Sequence, residues 1–292
     1  MASVARSIAA PRATARGARR SIGRLIALYA GMATVAVAMM APFYWMVMTS
    51  FSPAASAFSY PPTWYPPSLT LENYARLATV MPFLQFYLNS ALITVSVVAG
   101  QLIVCSMAGY AFARLHFPFR GPAFALVLGS MMIPHIVNII PLYVMFKSLG
   151  WINTFYPLIV PPIFTAGFGV FLLRQYFMTI PEELEEAARI DGASTVTVFT
   201  RIMLPLAKPA LAALAIFTFM GTWNDFFNPL IFINSKSKMT VTLGIAALRG
   251  EYATEWTVLM AAATASVVPI LAVYVVAQKH FIQGITMTGL KA

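Results

Sequence analysis

Residues 182–205 read EELEEAARIDGASTVTVFTRIMLP, and five of the nine acidic residues in this 292-residue chain (Glu182, Glu183, Glu185, Glu186 and Asp191) fall within the first ten of them. Such crowding is compatible with a catalytic site, a metal site or a surface on which another protein docks. Local chemistry points to helices. Pro181 suits the first position of a helix, and Glu182 and Glu183 in its first turn complement the positive helix end. Leu184, Ala187 and Ala188 recur at helical spacing and make a narrow face of small apolar residues. Gly192 tolerates the left-handed conformation that stops a helix, and Ser194 can cap the next one. Val196, Phe199 and Met203 make a second apolar stripe, which Leu204-Pro205 ends. The expectation is two short amphipathic helices with a sharp bend, whose alanines admit a partner backbone and whose acids offer charge-assisted bonds to basic groups.

The rest of the chain places this stretch beside a membrane. The sequence is 60% hydrophobic and only 10% charged, which excludes an ordinary water-soluble globule. A bilayer core of about 30 Å takes roughly 20 apolar residues as a helix. Six runs meet that length: 25–51, 88–112 (within 77–113), 121–146, 153–173, about 209–233 and about 257–278. Backbone polar groups in lipid must be satisfied within the segment, so each run is expected to be helical and the protein all-α. Prolines are frequent in them (Pro42, Pro134, Pro141, Pro157, Pro161, Pro162, Pro269) and predict kinks.

Charge placement sets the topology. The net charge is +10, yet six of the nineteen basic residues (Arg6, Arg12, Arg16, Arg19, Arg20 and Arg24) sit in the first 24 positions, with no acid among them. That tail suits anionic lipid heads or a targeting role and reads first as a cytoplasmic topogenic tail, not as a nucleic-acid-binding surface. With the N-terminus inside, fourteen basic residues fall on the cytoplasmic side and five outside, so both termini and residues 182–205 are expected in the cytoplasm. The external loop, 52–87, carries SYPPTWYPPSLTLENY, an aromatic run suited to the membrane interface.

Chemistry by this chain alone finds little support. Its three histidines (His116, His135, His280) are scattered, and it lacks HExxH, GxSxG, the GxxxxGK[ST] phosphate loop and GxGxxG after a strand. The single cysteine, Cys105, allows neither an internal disulfide nor a cysteine-ligated metal. Asp225, in WNDF, is the one carboxylate inside an expected span; it marks either a structural acid or the coupling group of an ion-driven secondary carrier. Asn89, His135 and Asn138 are further polar residues inside spans, and Asn224, Asp225, Asn89 and Asn138 are candidates to line a path.

The segment EAARIDGASTVTVFTRIMLP resembles the EAA loop of binding-protein-dependent ABC importer permeases, with Glu186-Ala187-Ala188, Gly192, Ile202 and Leu204-Pro205 at the family's spacing. LTLENYARL (69–77), LNSALIT (88–94), AGYAFARLHFPFRG (108–121), IPLYVMFKSLGWINTFYPLIVP (140–161), FTFMGTWNDFFNPLIF (217–232) and FIQGITMTGLKA (281–292) resemble the maltose-type carbohydrate branch. The GLKA ending and the Arg-rich extension depart from it.

The resemblance implies a type I importer permease fold with six transmembrane helices. Its parts would be a cytoplasmic tail (1–24), a first span (25–51), an external loop (52–87), a core of five spans (88–282) with a coupling loop at 179–205, and a cytoplasmic C-terminal tail (283–292). It assigns ATPase coupling to Glu186, Ala187, Ala188, Asp191, Gly192, Ile202, Leu204 and Pro205. It implies a cytoplasmic ATPase dimer that uses ATP and Mg, a homologous second permease subunit, an external solute-binding protein, a sugar or oligosaccharide substrate, and residence in a bacterial or archaeal cytoplasmic membrane. Glycerol-3-phosphate or another polyol derivative is an alternative cargo. No cofactor or metal is expected on this chain.

Overall fold

A computed structural model describes residues 15–56, 64–251 and 255–289, with side chains over 22–56, 64–134, 136–249 and 255–276. The extreme N-terminal part of the basic tail, part of the aromatic external loop, the side chain of His135 and the last residues of the C-terminal tail lie outside the described residues. Every regular element among the described residues is a helix. They are α1 (Ala15–Ser50), α2 (Glu72–Val80), α3 (Phe83–Arg114), α4 (Arg120–Met131), α5 (Ile139–Ser148), α6 (Tyr156–Phe164) and α7 (Gly167–Phe177). Then come α8 (Glu183–Ile190), α9 (Thr195–Val198), α10 (Leu204–Leu206), α11 (Lys208–Trp223), α12 (Phe227–Phe232), α13 (Val241–Glu251) and α14 (Trp256–Gly289).

Among the described residues four stretches are each long and apolar enough to cross a membrane: Ile22–Ser50, Phe83–Arg114, Tyr156–Phe177 and Trp256–Val276. The number rises to six if two bent helix pairs, Arg120–Met131 with Ile136–Ser148 and Thr195–Leu206 with Lys208–Trp223, each count as one. Three of the expected runs are broken. The run at 121–146 divides around Pro134, which opens a short 3₁₀ turn over His135–Asn138. The run at 153–173 divides at Thr165–Ala166, after Pro161 and Pro162 have removed two helical donors. The run at 209–233 divides at Asn224-Asp225-Phe226, between α11 and α12.

α3 is the central post, packed against α6, α7 and α11. Its buried residues Phe86, Asn89, Ser90, Ile93, Thr94 and Val97, then Cys105, Ser106, Gly109 and Tyr110, follow helical periodicity. A Cβ on Gly109 would stand 2.9 Å from Leu173 Cβ and 3.0 Å from the Arg174 amide nitrogen. Only glycine lets α3 and α7 approach this closely.

Three apolar clusters succeed one another along this post. Leu77, Met81, Phe86, Val241 and Val258 gather near its start. Ile93, Val97, Phe146, Leu158 and Phe232 fill the next level. Cys105, Tyr110, Leu173, Phe177, Val198, Met203 and Leu214 close its far end. α1 leans on α14 but leaves Ile26, Tyr29, Met32, Val37 and Met40 exposed, a surface suited to lipid or to another membrane helix.

Polar groups pin both ends of α3. At the start, Asn89 Nδ2 donates to the carbonyls of Ser237 and Met239, both at 2.9 Å. At the end, Arg114 reaches the segment that begins at Glu182. Twenty-five residues at 1.5 Å each separate these anchors, about 38 Å, more than the thickness of a hydrocarbon core.

Candidate coupling surface and polar cavity

Residues 183–206 form a compact bent unit on the Arg114 end of α3. α8 starts at Glu183, two residues after Pro181, with Glu182 as its N-cap. Its C-terminus closes as a Schellman motif: Ala193 N–H donates to Ala188 O at 2.9 Å and Gly192 N–H to Arg189 O at 3.0 Å. Gly192 has φ +83, the left-handed conformation the sequence reading asked of it. Ser194 Oγ then accepts from Thr197 N–H at 3.2 Å and caps α9. A π turn over Phe199–Met203 follows. Across its wider ring Val198 and Met203, five apart, are both buried, while Val196, expected on one apolar stripe with Phe199 and Met203, is exposed. Leu204-Pro205 does not end the helix there; α10 runs to Leu206, and α11 leaves from Lys208 at 74°.

The unit has an inner and an outer face. Inward, Tyr110 lies against Phe177 and Phe199, with ring centroids at 5.8 and 5.1 Å, and Ala188 and Ala193 pack beside the same cluster. Outward, Leu184, Ile190 and Val196 are exposed apolar residues, Ile190 at 86%, among exposed Glu186, Ala187, Asp191 and Gly192. Ile202 and Leu204 are half-buried and Pro205 is exposed.

The resemblance assigns coupling to Glu186, but among the described acidic residues it is its neighbour Glu185 that is buried. Glu185 Oε1 lies 3.0 Å from Arg114 Nε, both side chains 6% exposed. Its Oε2 accepts from the Tyr110 hydroxyl at 3.2 Å and faces Arg189 at 3.5 Å. Arg114 also meets Glu182 at 2.8 Å, and its Nη2 donates to the carbonyls of Phe177, at 2.9 Å, and Ile180. Arg120 and Arg174 donate to Phe112 O at the same helix end. The sequence signal was there: Glu182 and Glu185 are three apart, on one helical face, and Arg114 ends an apolar run.

The second feature is a cavity of about 310 Å³ midway along α3, beside the breaks in α6–α7 and α11–α12. Its polar lining is Gln101, Thr165, Thr218, Thr222, Asp225 and Asn228. Gln101 Nε2 donates to Pro162 O at 2.9 Å and its Oε1 accepts from the Thr218 hydroxyl at 2.7 Å, so one amide links three helices. Asp225 accepts from Asn228 N–H at 3.2 Å and Asn228 Nδ2 at 2.7 Å, and Thr242 donates to its carbonyl at 2.7 Å.

Of the four path candidates, only Asp225 lines this cavity. Asn89 spends its amide on backbone carbonyls near the start of α3. Asn138 is exposed at the Pro134 break, and Asn224 donates to Met220 O at the end of α11. Among the described residues no His, Cys, Asp and Glu group is placed to hold a metal ion.

Residues 104–287, which contain both the bent unit and the broken helices, match the family described as "Binding-protein-dependent transport system inner membrane component". The chain belongs to this family. As a permease of that kind it is a multi-pass protein of the cell membrane. It is 35% identical over 264 residues to the arabinooligosaccharides transport system permease protein AraQ of Halalkalibacterium halodurans, covering 89% of this chain and 94% of that one. It is 34% identical over 278 residues to the trehalose/maltose transport system permease protein MalG of Thermococcus litoralis, covering 94% and 99%. In fold, the permease matches a chain in the crystal structure of a bacterial ABC transporter involved in the import of the acidic polysaccharide alginate. The TM-score is 0.78 at 24% identity, over 93% of this chain and all of that one.

Proposed function

We propose that this permease is one non-catalytic half of an ATP-driven importer for a sugar or oligosaccharide, worked by a separate ATPase that grips residues 183–206. The observation that carries the proposal is the outer face of that unit. Leu184, Ile190 and Val196 are exposed on the same two-helix unit as exposed Glu186 and Ala187, the combination of apolar anchors and accessible charge on which proteins dock.

In this reading Glu186 pairs with a basic or polar group of the ATPase, Ala187 admits close approach, and Gly192 holds the bend. Asp191, Ile202, Leu204 and Pro205 shape the same unit. Six spans, both termini in the cytoplasm, a homologous second permease subunit and an external solute-binding protein complete the assembly. A chain of the alginate transporter solved in complex with pentasaccharide-bound periplasmic protein resembles this one at a TM-score of 0.60.

The names of the relatives supply the substrate class, and the cavity agrees with it. Amide and hydroxyl groups with the Asp225 carboxylate, beside Phe146 and Phe232, suit a hydroxyl-rich ligand, in a volume at the lower end of small-molecule sites, about 300–1,000 Å³. A polyol derivative would use the same route. The ion-coupled carrier reading is less well supported, because both Asp225 oxygens already accept from Asn228.

Glu186→Lys or Gly192→Asp is expected to lower uptake in cells and to loosen ATPase capture while leaving the amount of chain in the membrane unchanged. Unchanged uptake with unchanged capture sinks the docking assignment.

A further inference from the structure

We infer that Arg114 and Glu185 form a latch that makes α8 and α3 one mechanical body, so that displacement of the docked unit is delivered to the helix that lines the cavity. The inference rests on the docking reading above but concerns residues on the opposite, buried face of α8.

Three observations carry it. The first is placement. Docking alone would need only α8's outer face, yet a buried ion pair sits on its inner face, where Arg114 Nε and Glu185 Oε1 lie 3.0 Å apart with both side chains nearly excluded from solvent, held by charge and by the neighbouring bonds of the same two side chains, since these two atoms make no hydrogen bond themselves. A buried ion pair is weak as a stabiliser, because desolvation offsets most of the attraction. Breaking it by removing one partner is far more costly, which makes it a stiff joint between the parts it spans.

The second is the number of attachments through one guanidinium. Arg114 grows from the last turn of α3 and engages Glu182 at the start of α8, Glu185 one turn on, and the carbonyls of Phe177 and Ile180 in the link from α7. Rotation of α8 about any single contact strains the others. Tyr110, one turn back along α3, holds the second Glu185 oxygen at 3.2 Å and lies tilted against Phe199 beyond the bend.

The third is continuity with the cavity. Thirteen residues up α3 from Arg114, about 20 Å at 1.5 Å per residue, Gln101 ties α3 to Pro162 in broken α6 and to Thr218 in α11. Between these levels Gly109 seats α3 directly on the α7 backbone. A push on α8 therefore passes through Arg114 into α3 and reaches the breaks beside the cavity without crossing a flexible loop. Arg114 and Glu185 act as positioning residues and touch no substrate.

The test is the reconstituted complex, with ATP hydrolysis and uptake measured together. Glu185→Gln keeps the shape of the side chain and removes its charge; Arg114→Lys keeps charge and loses the fork. Each is expected to retain the ATPase on purification and to leave the KM for loaded binding protein unchanged, while uptake per ATP falls about tenfold. The double variant is expected to be no worse than the poorer single, as for residues acting as one unit.

Three outcomes overturn the latch and leave docking standing: normal uptake per ATP in both singles, additive losses in the double, or less assembled complex with normal uptake per ATP in what assembles. If the unaltered chain fails to retain an ATPase, docking falls and the latch with it.

Discussion

At residue scale the informative comparison is between Glu185 and Glu186, adjacent in sequence and opposite in fate. One is buried against Arg114 and Tyr110, the other faces outward. Sequence spacing identified the helix and its bend but could not say which acid turns inward, because that depends on Arg114 arriving from a helix about 70 positions earlier.

Gly192 is simpler. Nothing lies within 4 Å of where its Cβ would be, so a substitution meets only the cost of φ +83. Gly192→Ala is expected to destabilise the α8 terminus by about 1 kcal/mol, seen as faster hydrogen exchange at 188–194, while Gly192→Asn exchanges more nearly as the native chain does. Asp225 permits a sharper test of rival mechanisms. Asn at that position still accepts from Asn228 N–H, so Asp225→Asn is expected to retain most ATP-driven uptake. Abolition of uptake by this change alone would favour the ion-coupled carrier.

At the scale of elements, hydropathy found the apolar runs and missed where they break. α3 and α14 are uninterrupted helices over the expected runs, whereas α4–α5, α6–α7 and α11–α12 are pairs. Prolines announced the first two interruptions. The third lies at Asn224-Asp225, where a side chain turns back to cap α12, and composition alone does not distinguish that from a polar residue within a continuous span. The close seat of α3 on α7 was likewise hidden, since Gly109 in an apolar run reads as ordinary. Gly109→Val drives a side chain into Leu173 and the Arg174 backbone and is expected to cost about 1–3 kcal/mol, read as a lower unfolding temperature in detergent. Gln101→Leu strands the Thr218 hydroxyl and the Pro162 carbonyl and should cost about 1 kcal/mol by the same assay.

At the scale of the molecule, α3 separates two polar anchors by more than a hydrocarbon thickness and carries the cavity between them. That spacing gives the charge-based topology a physical test. In a Cys105→Ser background, a single cysteine at Ile190 is expected to react with an impermeant thiol reagent only from the cytoplasmic side, and one at Ser68 only from outside. Labelling of both from one side would refute the orientation.

The central claim is that this chain moves its substrate only as part of an ATP-driven assembly. It is tested most directly by uptake of a radiolabelled oligosaccharide into proteoliposomes holding this permease, its partner subunit and the ATPase, supplied with loaded binding protein. The account predicts accumulation that requires enclosed ATP and falls severalfold with Glu186→Lys. Accumulation by this chain alone, driven by an ion gradient without ATP, would contradict it.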